Sequence, residues 1–237
     1  MKDIREQLKT MAKAYGVRLS EKQAGQFQTY MEMLVEWNEK INLTAITEPD
    51  QVAEKHFLDS LTVLSSCQIK EGAKVIDVGT GAGFPGLVLK MARPDIELTL
   101  LDGVNKKLNF LGEVCGALGL EARLVHKRAE EAGRDKEMRE RFDLAAARAV
   151  ASLNVLSEYC LPLVKMKGFF VAMKGPGAEQ ELAEAQRALE LLGGGKMERK
   201  QVQLPTAGER NIILVQKLRF TPKEYPRHGG TIGKHPL

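Results

Sequence analysis

Lys74 to Gly86 reads KVIDVGTGAGFPG. Glycines at 79, 81, 83 and 86 leave a loop of bare backbone that a ligand can approach closely, in conformations other residues avoid. The run Leu87-Val88-Leu89-Lys90-Met91-Ala92 can continue as a helix, with Pro85 in its first turn, where a missing N–H costs nothing. That N-terminus offers unpaired N–H groups to a polar or anionic group. Asp77 precedes the glycines. Asp102 follows about 20 residues later, where an acid at a strand end accepts hydrogen bonds from ribose hydroxyls. These residue types point to an adenosine-containing ligand. The plainer alternatives are a tight strand–helix turn and a strand-end acid that caps the next helix.

Two ligand classes fit the loop. Gly81-x-Gly83-x-x-Gly86 matches the dinucleotide fingerprint, which would make the chain a nicotinamide-dependent oxidoreductase, but it starts two residues late for a strand ending at Val78. Asp77-x-Gly79-x-Gly81-x-Gly83 instead resembles motif I of class I S-adenosylmethionine methyltransferases, where the loop wraps the methionine and ribose part of a ligand without pyrophosphate. Further candidates lie at later strand ends. Ala129 and Glu130 follow the third apolar run, where methyltransferases contact adenine; as a helix start, Glu130 also reads as a solvated charge. Arg148 ends the strand in AAARAV, one cation among small residues on a strand that should be buried. A buried arginine needs a partner: cofactor, substrate, or a carboxylate such as Asp77 or Asp143. Lys174 precedes Gly175-Pro176-Gly177 and would face the same edge, or solvent. His56 and Asp59 have the residue types of an acid–base pair, read here as packing residues.

The elements that must position these groups follow from periodicity. Ile4, Leu8, Met11 and Tyr15 predict a first helix, and Ser20 through Gln23 a capping box opening a second that carries Ala24, Phe27, Tyr30, Met31, Leu34 and Val35. A third carries Val52, His56, Leu58, Leu61 and Leu64. From Lys74 onward, strands near 74–78, 96–102, 122–127, 142–150 and 169–173 alternate with helices over 105–118, 130–141, 153–164 and 178–192. The last runs, 197–204 and 211–217, form an antiparallel pair. This alternation predicts an α/β fold with a parallel, doubly wound sheet. Its antiparallel end, taken with the motif I resemblance, is similar to a class I S-adenosylmethionine-dependent methyltransferase, which implies a Rossmann-like, mostly parallel seven-stranded sheet with a terminal antiparallel strand and an N-terminal helical extension. Residues 1–70 form a helical cap packed on the core, 71–218 the methyltransferase domain and 219–237 a basic C-terminal tail.

Composition sets outer limits. The chain has 237 residues, 43% of them hydrophobic, with no apolar run near the ~18 residues of a membrane span. Cys67, Cys115 and Cys160 lie far apart, without metal spacing, as buried free thiols of a cytoplasmic protein. No metal site, membrane contact or partner protein is expected. The net charge of +4 sits entirely from Lys217 onward, where five Lys/Arg face one acid. Such a tail suits a polyanion, or is an ordinary solvated terminus. No Asn-Pro-Pro-Tyr run follows the fourth strand, which disfavours amino-group methylation of bases, and no Pro-Cys appears near the strand ends, which disfavours a thiolate adduct at pyrimidine C5.

Taken together, Asn42 to Ile46, His56 to Leu61, Asp77 to Gly86, Leu100 to Asp102, Arg148 to Ala151, and the tail Tyr225-Pro226-Arg227 through Gly233 to Leu237 closely resemble the RsmG (GidB) methyltransferases of bacterial small-subunit rRNA. The resemblance implies methyl transfer from S-adenosylmethionine to N7 of one guanine in the decoding region of 16S rRNA, with S-adenosylhomocysteine as product. It implies cofactor contacts from Gly79, Phe84, Asp102, Ala129, Glu130 and Arg148. Gly103 stands where a serine is expected. Guanine N7 has a free lone pair, so no general base is required and catalysis reduces to in-line positioning. A donor to guanine O6 would fix the base: Arg148, Lys174, Arg210 and Arg227 are candidates, with Arg148 and Lys174 as the catalytic ones. Lys174, Arg210, Arg227 and Lys234 would contact RNA. The alternative is a methyltransferase acting on a small molecule or protein.

Overall fold

A computed structural model describes residues 2–237. The apolar runs become seven strands: β1 (Lys74–Val78), β2 (Glu97–Asp102), β3 (Ala122–His126), β4 (Phe142–Arg148), β5 (Val164–Lys174), β6 (Gly194–Leu204) and β7 (Gly208–Lys217). They form one sheet of order β3-β2-β1-β4-β5-β7-β6. Strands β1 to β5 are parallel, while β7 runs antiparallel to both β5 and β6. The strand order reverses between β1 and β4, which opens a crevice at their carboxyl ends.

Helices cover both faces. In chain order they are α1 (Arg5–Ala14), α2 (Glu21–Asn38), α3 (Pro49–Val52), α4 (Asp59–Ser66), α5 (Gly86–Ala92), α6 (Asn105–Leu118), α7 (Ala129–Arg134), α8 (Leu153–Cys160), α9 (Ala178–Leu191) and α10 (Gly229–Lys234). The capping box at Ser20 forms: its side chain accepts from Gln23 N–H and Gln23 reaches back. The third predicted helix exists as α3 and α4, joined by a π turn over Ala53–Leu58. Apolar spacing carries no signal for that insertion.

Other boundaries moved for identifiable reasons. The helix expected over 153–164 stops at Cys160, because Pro162 sits in a 3₁₀ turn (Leu161–Leu163) and Val164 already belongs to β5. The helix expected over 130–141 stops at Arg134. Asp135 there accepts from Lys127 and from Glu137 N–H, and the chain turns to bury Met138. Residues 219–237 pack on the core and form α10.

One apolar cluster joins Ile4, Leu8, Phe27, Tyr30 and Phe57 of the first helices to Val75, Leu87, Leu100 and Phe110 of the sheet and its helices. A second cluster fills the opposite face beneath α8 and α9. Aromatic rings pack the first helices together (Phe27–Phe57, 5.0 Å between centroids), onto the glycine loop (Tyr30–Phe84, 5.6 Å) and onto α6 (Trp37–Phe110, 5.7 Å). The Tyr30 hydroxyl donates to the carbonyl of Ala82 inside that loop.

Glu54, in the π turn, is a second tie. Its carboxylate accepts from Thr206 N–H at 2.6 Å, Thr206 Oγ1 at 2.5 Å and Ala207 N–H at 2.8 Å in the β6–β7 turn. Burial works against the charge, yet these three donors hold its pKa below the usual glutamate value. Removing the carboxylate loses three hydrogen bonds to a charged acceptor, from donors that water can partly reach, so Glu54→Ala should lower the unfolding free energy by about 2 kcal/mol at pH 7. A depressed folded-state pKa contributes stability above the unfolded pKa and loses it as pH falls through the folded value. Urea titrations should therefore show the gap between the two proteins closing under acid; a gap that is absent at pH 7 would contradict the tie.

Candidate active site

The glycine loop is held by two aspartates in different ways. Asp77 is fully buried; its Oδ2 accepts from Thr80 Oγ1 at 2.7 Å and from Gly86 N–H at 2.8 Å, so it caps α5 from below the loop. Its Oδ1 has no partner, and burial lifts its pKa to about 6. Asp102 lies at the end of β2, where Oδ2 accepts from Gly81 N–H at 2.9 Å and Oδ1 from Val104 N–H at 2.8 Å. Gly79 and Thr80 N–H both donate to Leu101 O. Gly79, Gly81 and Gly83 adopt φ of +69°, +59° and +102°, the left-handed region that glycine tolerates. A Cβ on Gly83 would also strike the Tyr30 hydroxyl.

A cleft of about 610 Å³ opens above this loop, lined by Gly79, Asp102, Ala129, Glu130, Val150 and Tyr159 among others. That volume lies within the several hundred Å³ typical of small-ligand sites. A second cleft of about 330 Å³ opens on the other side of Ala149, which lines both. Its lining includes four cations, Lys55, Arg148, Lys174 and Arg210, and one carboxylate, Asp59. Ala149 has φ +55°, a turn that sends the chain over the glycine loop directly after Arg148.

Arg148 sits in a cradle supplied by the π turn. Its NH1 donates to Lys55 O at 2.9 Å and to Asp59 Oδ2 at 3.1 Å, and its NH2 to His56 Nδ1 at 3.0 Å. The guanidinium carbon lies 4.8 Å from the centroid of Phe84, on which His56 stacks at 4.5 Å. The π turn makes this possible: Asp59 N–H bonds to Glu54 O, one residue further back than in an α-helix, and Lys55 O is released for Arg148. Because an arginine only donates, His56 Nδ1 must accept. The ring proton then sits on Nε2 and is donated to Thr44 Oγ1 at 2.8 Å. Burial, and then the charge of Arg148, push the His56 pKa down to about 3, so the ring is neutral.

The family described as "GidB: rRNA small subunit methyltransferase G" matches residues 23–213. The chain belongs to the GidB family. Among its relatives are proteins named ribosomal RNA small subunit methyltransferase G from Alkaliphilus metalliredigens (49% identical, 97% of both chains), Desulforamulus reducens (47%, the full length of both) and Lactobacillus johnsonii (50%, 97% of both). The fold is that of solved methyltransferases. A SAM-dependent O-methyltransferase from Thermotoga maritima superposes with a TM-score of 0.54 at 16% identity, over 80% of this chain and 72% of that one. A precorrin-6y C5,15-methyltransferase from Geobacter metallireducens gives 0.52 at 15%, over 75% and 92%.

In this GidB chain, Gly79, Asp102, Ala129 and Glu130 share the larger cleft. Phe84 does not reach it; the ring is buried between His56 and Tyr30. Arg148 lines the smaller cleft, and its carboxylate is Asp59, not Asp77 or Asp143. Asp143 is taken by Lys165 and Lys74 N–H. Lys174 is not solvated: Nζ donates to Ala151 O at 2.6 Å and pairs with Glu181 at 2.7 Å. Arg210 donates to Ala207 O and Glu209 O, 3.7 Å from Asp59 Oδ1. That Asp59 oxygen has no hydrogen-bond partner, and burial raises the pKa of its carboxyl. Arg227 lies elsewhere, against Glu158, and Lys234 is exposed on α10. Asp59 as a clamp, Asn211 and Gly233 as cleft-lining residues were missed from sequence. The signal for Asp59 was the His56/Asp59 spacing, read only as packing. Among the described residues no cluster could hold a metal, no helix is long and apolar enough to cross a membrane, and the three cysteines are buried and free.

The neutral His56 has a pH signature. Below pH 6.5 the unfolded chain binds a proton that the fold refuses until about pH 3, so this group lowers stability as pH falls through that window. The slope is at most about 1.4 kcal/mol per pH unit. Asp77, with its pKa raised to about 6, has the opposite sign and is unchanged in a His56→Gln variant. Urea titrations at pH 7 and pH 4.5 should show the variant losing less stability on acidification than the wild type. Equal losses would mean that His56 carries a charge in the fold.

Proposed function

We propose that this GidB-family protein is an rRNA small subunit methyltransferase that moves the methyl group of S-adenosylmethionine to N7 of a guanine in the decoding region of 16S rRNA, releasing S-adenosylhomocysteine. One observation carries the reading: a cofactor-sized cleft with a glycine loop and a strand-end acid shares Ala149 with a smaller, strongly cationic cleft. Two ligands bound there would meet at the end of β4, at the topological switch point where α/β sheets bind ligands.

The residues present fit the cofactor. Each Asp102 oxygen already accepts one backbone N–H, and an ionised carboxylate has about four acceptor sites, so two remain for ribose hydroxyls. Gly79 offers bare backbone, and Ala129 and Glu130 wall the far end of the cleft. When bound, S-adenosylmethionine supplies a methyl group activated by a positively charged sulfur.

The chain's own task is placement. His56 has both ring nitrogens engaged and is neutral, so it has no free site for acid–base work. A nucleophile that loses no proton needs none. Guanine N7 is such a nucleophile, and orientation alone supplies a large part of its rate. Lys174, Arg210 and Arg148 stand at the smaller cleft as donors to guanine O6 and the adjoining phosphates. Residues 1–70 act as a cap whose π turn builds one wall of that cleft, and 71–218 form the transferase unit. The ribosomal substrate puts the protein in the cytoplasm, in keeping with its free thiols.

The test is transfer of a labelled methyl group to 30S subunits or 16S rRNA, with the product mapped by borohydride and aniline scission, which cuts at 7-methylguanosine. Label at one guanine N7 is expected, with kcat/KM for Arg148→Ala down by about 10²-fold from loss of positioning. Label on an exocyclic nitrogen, or unchanged turnover in Arg148→Ala, Lys174→Ala and Arg210→Ala alike, would remove the reading.

A further inference from the structure

The family model matches residues 23–213, and the full-length relatives extend the similarity through the segment after β7 without giving it a role. That segment is strapped down along its length. Arg139 donates to the carbonyls of Thr221, Pro222 and Tyr225 at 2.8, 3.1 and 2.7 Å. Arg134 donates to those of Glu224 and Pro226 at 3.2 and 2.7 Å. Arg227 then closes on Glu158 of α8, whose side chain is 0% exposed. Arg227 Nε reaches Oε1 at 2.9 Å, NH2 reaches Oε2 at 2.7 Å, and the Arg227 backbone N–H adds a third bond at 2.7 Å. A carboxylate this deeply buried is strongly destabilising unless paired, so Glu158 favours the docked tail.

Docking delivers α10 to the larger cleft. Gly229 lies against Glu130 so closely that a Cβ would overlap its carboxylate, and Ile232 is buried. One turn later, Gly233 lines the cleft together with Glu130, Val155 and Tyr159. The most basic part of the tail is not free for a polyanion: Arg227 is held by Glu158, and Lys217 just before the tail is buried with Glu140. Arg219 is exposed and donates to Glu190 O.

We infer that the C-terminal segment is a wall of the nucleoside cleft: α10 closes its Glu130 end, and Glu158–Arg227 is a positioning pair for that closure, not a phosphate contact. The inference rests on the cofactor reading above. It follows that Gly233 leaves room for the ligand. A Cβ there would meet nothing within 4 Å, and its backbone is not in the left-handed region, so a larger residue can be carried without strain on the fold.

The test is calorimetric binding of S-adenosylhomocysteine to the wild type, to Gly233→Trp and to a deletion of residues 229–237 that keeps Arg227 on Glu158. Both variants should bind at least about tenfold more weakly, a loss of about 1.4 kcal/mol. Affinity for a 16S rRNA fragment should keep its salt dependence to within about one counterion, for the loss of Lys234 in the deletion. Wild-type affinity for S-adenosylhomocysteine in both variants would overturn the inference alone. So would a deletion that weakens RNA binding and leaves S-adenosylhomocysteine binding intact, since the tail would then be an RNA arm. A wild type that binds no S-adenosylhomocysteine would overturn the cofactor reading and this inference with it.

Discussion

Arg148 cannot shed its charge, and its side chain is only 13% exposed at the end of a buried strand. Everything around it answers that constraint. A carboxylate, Asp59, balances the charge; a carbonyl, Lys55 O, takes a second bond; and a ring nitrogen of His56 takes a third. Ordinary α-helical bonding over residues 53–59 would bring Asp59 N–H, in competition with Arg148, onto Lys55 O. The π turn is the local cost of freeing it. The neutral tautomer of His56 follows from the same demand, because a donor-only partner leaves Nδ1 no choice but to accept.

The consequences spread through contacts that can be followed atom by atom. Arg148 lies over Phe84, Phe84 stacks on Tyr30, and Tyr30 donates to Ala82 in the glycine loop. The N-terminal helices, the loop and the end of β4 are therefore one packed unit. Asp77 and Asp102 tie the same loop from below and from the side. A ligand entering the larger cleft would meet a backbone already fixed in its φ angles, which is how preorganisation lowers the entropy cost of binding.

Electrostatics divides the two clefts. Asp102 and Glu130 line the larger one together with Lys107, Lys127 and Arg128, while the smaller one has four cations, of which Arg148 pairs with Asp59 and Lys174 with Glu181. A polyanion would be drawn to the cationic side. The tail, although basic in composition, spends Arg227 on Glu158, and the Lys217 that precedes it on Glu140.

The order of strands and helices, the capping box at Ser20, the glycine loop, Asp102 at a strand end and the free cysteines were legible from residue order alone. Each of these is a local signal: periodicity, a spacing, or a backbone conformation that few residues tolerate. Which charges meet was set by the folded chain. Arg148 pairs with Asp59 across 89 positions, and Arg227 with Glu158 across 69. No local pattern distinguishes Asp59 from Asp77 or Asp143 as a partner. The π turn that aims Asp59 and the tail's path to Gly233 are likewise set by what lies opposite in space. A charge declares that it needs a partner; the fold alone brings one within hydrogen-bonding reach.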